Sequence, residues 1–474
     1  MNIEKITIPS NVNSIEKFAF ANSTPLKDID IQSNTNIKID NSAFNNTAWF
    51  NAQTDNIIYI DNVAFKYVGR DKPKSITIKE GTTAIASDFM LNNTNLQRVE
   101  LPQSLSAIGP NAFAGCTSLE TIVFPNSLNS KYESAFANCT SLKHIDIPAS
   151  ISLIDNSAFE NCTGIDSVNL NNAYCSIGVA AFRNCHNMQK AQLGNNITQI
   201  DDMAFAYCSS LRYINSDKHI VLPPEIKEIN TATFFNCTSF RGKIVIPKNV
   251  ESIGEMAFEG CQSIHSVELS SKLRHIDMSA FEKNINFTRY IDASNNFFST
   301  YNGVLYSSNM DVLFHCPQGY NGTCVAHNKA RIIDTYAFNK CTKIQHVILS
   351  NTEEIRDYSF NGCINLRRIS LGKNAQSLTY KAFNGCQNLE AINIKKDNTH
   401  YKSVDGVIYS ADMTTLILCP RAKKGKLRIP KSVLNIADYA FYGCNQLTEI
   451  IAHKNIKSVG KDTFTDCNAK IHKL

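Results

Sequence analysis

Among the 474 residues there is a single tryptophan, and no apolar run approaches the roughly 20 residues that a membrane-spanning helix needs. No lysine and arginine run is dense enough to mark a nucleic-acid footprint, and the net charge of +5 is spread along the chain. The motifs that organise catalysis are missing: there is no G-x-x-x-x-G-K-[ST] phosphate loop, no G-x-G-x-x-G, no H-E-x-x-H and no G-x-S-x-G elbow. No C-x-x-C occurs, and no Cys/His cluster has zinc-ligand spacing. The opening MNIEKITIPSNV holds no apolar h-region, so no secretory signal is expected there, and NAKIHKL carries no lipidation motif. These gaps argue against an enzyme, and no cofactor or metal is expected.

What is present is repetition. NAFAGCTSLE at 111–120 returns as SAFANCTSLK at 134–143, SAFENCTGID at 157–166 and AAFRNCHNMQ at 180–189. The marker phenylalanine falls at sixteen places from Phe20 to Phe464, mostly 22 to 24 residues apart. Between markers, Ile145 and Ile147 alternate with Asp146, which is strand periodicity, and Pro148 ends the strand. The segment around Ala158 and Phe159 is too short for a regular helix and is expected to form a tight helical or 3-10 turn. One such unit cannot bury its apolar side alone, but stacked copies can. About sixteen coils of ~23 residues would pair their strands in parallel into a curved rod on the order of 75 Å long. Isoleucines would line one wall and phenylalanines the other.

The unit L-x-x-I-x-I-P-x-x-V-x-x-I-x-x-x-A-F-x-x-C-x-x-L resembles the BspA-type leucine-rich repeats across essentially all of 1–474. That resemblance implies an α/β-horseshoe leucine-rich repeat solenoid, with a parallel sheet on one face and short 3-10 or helical turns on the other. For function it implies surface adhesion or protein binding.

The chain reads as one solenoid, 1–474, with insertions at about 50–75, 295–325 and 396–425. NGVLYSSNMDVLFHCP (302–317) matches DGVIYSADMTTLILCP (405–420), and IIYIDNVAFKYVG (57–69) is a weaker relative. Each is expected to be a β-hairpin standing off the rod. Twelve of the sixteen cysteines lie three residues after a marker, in a slot that elsewhere holds Ser23, Thr47, Asn92 or Asn284. They are expected to be unpaired small fillers. Cys175 falls out of this pattern and is expected to be exposed. Nine N-x-S/T sequons occur, but N-C-T is how the repeat spells its turn, so glycan attachment is not expected.

Residues between the inward isoleucines should point to solvent and form a long, continuous, chemically mixed sheet face. Arg98, Glu100, His144, Asp146, Lys190, Gln192, Tyr213, His346 and Arg368 are the candidate partner-binding residues on it. Mixed charge favours a protein or a glycan over nucleic acid. The expected function is non-catalytic recognition by an adhesin-like or surface-antigen-like protein, exported by a route without a visible signal peptide. An intracellular scaffold, in the cytoplasm, is the other reading, favoured by the unpaired thiols.

Overall fold

The computed structural model describes residues 3–32, 37–129, 133–170, 173–292 and 294–473. The chain is a parallel β-solenoid. Among the described residues helix is confined to Ala48–Asn51 and to 3-10 turns at Met278–Phe281 and Tyr380–Phe383. It forms two compact units, Met1–Ser263 with His275–Glu282, and Ile264–Arg274 with Lys283–Leu474.

A coil of the first unit shows how the sequence builds the wall. His144–Asp146, Ser167–Asn169 and Lys190–Gln192 are parallel front strands, paired His144 to Ser167 to Lys190. Alternation sends Ile145 and Ile147 into the core and leaves His144 and Asp146 exposed. Pro148 then turns the chain, its carbonyl accepting from the Ile151 amide at 3.1 Å. A second, inner ladder follows at Leu153–Ile154, Ser176–Ile177 and Gln199–Ile200. The marker rings close the coil. Phe113, Phe136, Phe159, Phe182 and Phe205 stack with centroids 5.4 to 5.5 Å apart and planes within 11° of parallel. That spacing slightly exceeds the 4.8 Å strand repeat, as offset stacking requires.

The turns around the markers are mostly non-helical. Most pass twice through the left-handed region, as at Ser134 (φ 54°) and Asn138 (φ 62°), then Ser157 (φ 53°) and Asn161 (φ 59°). Two residues after the marker this conformation selects asparagine or glycine in most coils, Gly115 and Gly260 being examples. The asparagines also bond along the stack: Asn161 Nδ2 donates to Asn138 Oδ1 at 3.0 Å and Asn184 Nδ2 to Asn161 Oδ1 at 2.7 Å. The N-C-T sequons are therefore turn chemistry. Backbone register also corrects one marker. Met90, and not Phe89, donates to the next coil's alanine carbonyl, Ala112, so the slot residue there is buried Asn93 instead of Asn92.

The insertions lie within the wall and do not stand off it. Residues 298–301, 304–307 and 312–315 form a three-stranded antiparallel meander, as do 401–404, 407–410 and 415–418. The last strand of each joins the inner ladder in parallel, Leu313 opposite Ile333 and Leu416 opposite Ile436. In the first unit the hairpin 57–60/63–67 does likewise, with Ala64 opposite Ile85. Each insertion thus supplies a turn of its own, which is why the coils outnumber the sixteen markers. Buried Phe65, Tyr306 and Tyr409 take the core volume that markers fill elsewhere.

The meanders also interrupt the front sheet. Asn302–Gly303 and Asp405–Gly406 are tight turns with positive φ at both residues. Their glycine carbonyls accept from Tyr290 and Ile392, the centres of the adjoining front strands. Front strands 322–325, 344–349, 368–371 and 391–394 form one sheet, and 425–428, 447–452 and 470–473 another. The sheet face is a series of panels and is not continuous.

Candidate functional site

The front panels carry all nine candidate residues. Ser75, Arg98 and Thr121 align across three coils, with Thr77 beside Glu100 in the next row. Arg98 and Glu100 are exposed, and Thr77 Oγ1 donates to Glu100 Oε2 at 2.7 Å. The second panel of the same unit brings five candidates together. His144, Ser167, Lys190 and Tyr213 form one row, and Asp146, Asn169 and Gln192 the next.

These rows are internally bonded. His144 Nδ1 meets Ser167 Oγ at 2.7 Å and its Nε2 lies 3.2 Å from Asp146 Oδ2. Asn169 Nδ2 donates to Asp146 Oδ1 at 3.0 Å, and Lys190 Nζ pairs with Asp217 at 2.8 Å. The cross-strand pairs His144–Ser167 and Asp146–Asn169 fix side-chain directions at the edge of solvent. Tyr213 is half-buried.

In the second unit His346 stands beside Arg368, with Nε2 2.9 Å from Ser370 Oγ. Partial burial, and secondarily the Arg368 cation, pushes its pKa below the usual imidazole value. Arg368 lines a recess of about 410 Å³ with Glu390, Asn393 and Asp405. Asp405 sits on the meander turn, where Lys423 Nζ contacts its Oδ2 at 2.5 Å. Sequence reasoning about strands alone missed Asp405 and Lys423. The Asp-Gly pair was the available signal, because it marks a tight turn that folds back on its neighbours.

The cysteines are inside the wall. All sixteen are free, and only Cys467 is less than fully buried. Cys175 is buried too, at 2% exposure, against the expectation from its unit position. In most coils the slot sulfur reaches the marker carbonyl of the preceding coil: Cys139 to Phe113 at 3.2 Å, Cys162 to Phe136 at 3.0 Å, Cys185 to Phe159 at 3.3 Å. After the meanders Cys341 and Cys444 reach the Cys316 and Cys419 carbonyls instead. The slot therefore wants a small group with one donor, and S–H supplies it. Burial pushes the Cys116 and Cys175 thiols up to about 12, which makes them weak nucleophiles. Among the described residues no group of three or more His, Cys, Asp or Glu side chains could hold a metal ion, and no helix is long and apolar enough to cross a membrane.

The family model for the BspA type leucine rich repeat region (6 copies) matches residues 1–92, 87–212, 212–318, 322–423 and 419–474. No curated protein matches the chain. Similar solved structures include a leucine-rich repeat protein from Bacteroides ovatus, 19% identical over 83% of this chain and 76% of that one, with a TM-score of 0.43. A leucine rich cell surface protein from Faecalibacterium prausnitzii is 20% identical over 89% of this chain and 94% of its own, TM-score 0.43. The pneumococcal vaccine antigen PcpA is 17% identical over 89% and 87%, TM-score 0.40. With the repeat matched along nearly its whole length, the chain belongs to the BspA-type leucine-rich repeat family.

Proposed function

We propose that the chain is a non-catalytic binding protein whose front panels dock a partner protein, and that it works at the cell surface as an adhesin or surface antigen. One observation carries this reading: solvent-facing polar side chains aligned coil by coil, with His144, Lys190 and Tyr213 in one row and Asp146 and Gln192 in the next. Extended faces of stacked repeats are the usual recognition surface of such folds. Bonds to their neighbours pre-order His144, Asp146 and Lys190, which lowers the entropy lost on docking. The test is binding of the whole chain to intact host cells, compared with the variant Arg98→Glu/His144→Glu/Lys190→Glu. Placing three acidic side chains on this face should weaken binding at least about tenfold. Unchanged binding moves the docking face elsewhere.

An intracellular scaffold is the second reading, and the sixteen free thiols favour it, because oxidising compartments tend to pair cysteines. A membrane-impermeant label on intact producing cells separates the two. It should mark a surface protein and miss a scaffold.

A further inference from the structure

The two meanders of the second unit are copies of one insertion, yet they leave different walls behind them. Each returns to the solenoid through Cys-Pro, at Cys316–Pro317 and Cys419–Pro420, and each omits the A-F-x-x-C turn of an ordinary coil. The omission opens a notch between the turns of the coils on either side. In the first copy the notch is closed. Gln318 follows the proline, is buried, and donates from Nε2 to the Asn339 carbonyl at 3.2 Å. Lys343 reaches across and donates to the Ile285 carbonyl at 2.7 Å, 58 residues away in sequence.

In the second copy neither closure exists. Arg421 stands where Gln318 stood, and Tyr442 where Asn339 stood. The guanidinium lies over the Tyr442 ring, 4.7 Å from its centroid. Tyr442 is itself fixed edge-on against Tyr380 and Tyr439, which stack at 4.1 Å. Gln446 replaces Lys343. A cavity of about 570 Å³ remains, within the size range of small-ligand sites.

Its lining has changed character with it. Ile285 and Ile364 of the first copy become Gln387 and Asn468, Thr342 becomes Asn445, and Gly362 becomes Asp466. Gln387, Asn388, Asn445, Gln446, Asp466 and Asn468 now face the cavity beside Arg421. Asn388 Nδ2 is engaged by the Ile364 carbonyl at 2.8 Å. The other five side chains make no hydrogen bond within the protein among the described residues. Planar amides offer donor and acceptor together, the pattern that matches vicinal hydroxyls, and a carboxylate accepts from two hydroxyls at once. The Tyr442 ring at the rim supplies a flat apolar face.

We propose that this notch binds a neutral saccharide. The one cation is held on a ring and the one anion is flanked by amides, so the wall selects hydroxyl arrays over a charged ligand. This site lies on the turn wall and is independent of the front panels.

The test uses the whole chain and four probes, chitotetraose, maltotetraose, cellotetraose and mannotriose, with tetra-alanine as the peptide comparison, read by saturation-transfer NMR and calorimetry. At least one sugar should bind and the peptide should not. Arg421→Gln/Gln446→Lys, which rebuilds the first copy's closure, should weaken that binding at least about tenfold. Gln387→Ile/Asn468→Ile changes only exposed side chains and should do the same, so a folding failure of the first variant does not spare the proposal. Arg98→Glu should leave sugar binding unchanged. Silence from all four sugars, equal response to the peptide, or full binding by a folded notch variant overturns the assignment.

Discussion

His315 lies fully inside the second unit, with Nδ1 2.8 Å from the Tyr290 hydroxyl. Burial pushes its pKa from the ordinary 6.5 to about 4. The folded state therefore binds this proton less readily than the unfolded chain does. Stability from this source is complete above about pH 6.5, falls as the pH drops towards 4, and is flat below that. At 1.36 kcal/mol per pH unit, the full loss is about 3 kcal/mol. The second meander supplies the control, because Ile392 and Leu418 hold the places of Tyr290 and His315 there. The double variant Tyr290→Ile/His315→Leu should lack this acid sensitivity. His315→Leu alone also lacks it but strips the tyrosine hydroxyl of its imidazole partner, at a cost of about 1–3 kcal/mol at neutral pH. The assay is urea unfolding of parent and variants between about pH 7 and pH 4.5. Carboxylates titrate alike in all of them, so the difference isolates His315, and the parent should lose about 2 kcal/mol more than the double variant. Equal losses would refute the claim that a buried neutral imidazole is part of this wall.

Phe159→Ala removes a ring that is wholly buried between Phe136 at 5.5 Å and Phe182 at 5.4 Å, and should cost about 3–5 kcal/mol in urea unfolding. Phe464→Ala, at a half-buried ring stacked on Phe441 at 5.4 Å, should cost clearly less. In the native protein an aromatic disulfide reagent should titrate Cys467 first and leave the buried thiols silent, and denaturant without reductant should release all sixteen. Gly303→Ala drives a new methyl to within 2.5 Å of the Arg289 Cβ, whereas Gly322→Ala, at a similar φ of 83°, meets open space. The first should cost at least about 1 kcal/mol more than the second by thermal unfolding.

Much of the coil was legible in the residues. The Ile-Asp-Ile alternation named the front strand and its outward positions, and the Phe and Cys spacing named the stacked interior. Local chemistry set these features, so one repeat read sixteen times was enough. The asparagine or glycine two places after the marker was equally visible, but its meaning is a backbone angle, and only the φ values of Asn138 and Gly115 show it. The slot cysteines read as filler, and their role as donors to a carbonyl 26 residues back appeared only once coils were stacked.

What the sequence by itself determined is the solenoid, because each unit carries the same apolar face and must hand it to a neighbour. What the tertiary structure decided is where that regularity is broken. Antiparallel strands at 298–315 and 401–418 could have stood off the wall or entered it, and the alternation of apolar residues is the same either way. Their pairing with Ile333 and Ile436, across loops that no local pattern spans, put them inside. That choice divided the front sheet into panels and left one notch closed by Gln318 and Lys343 and the other open beside Arg421.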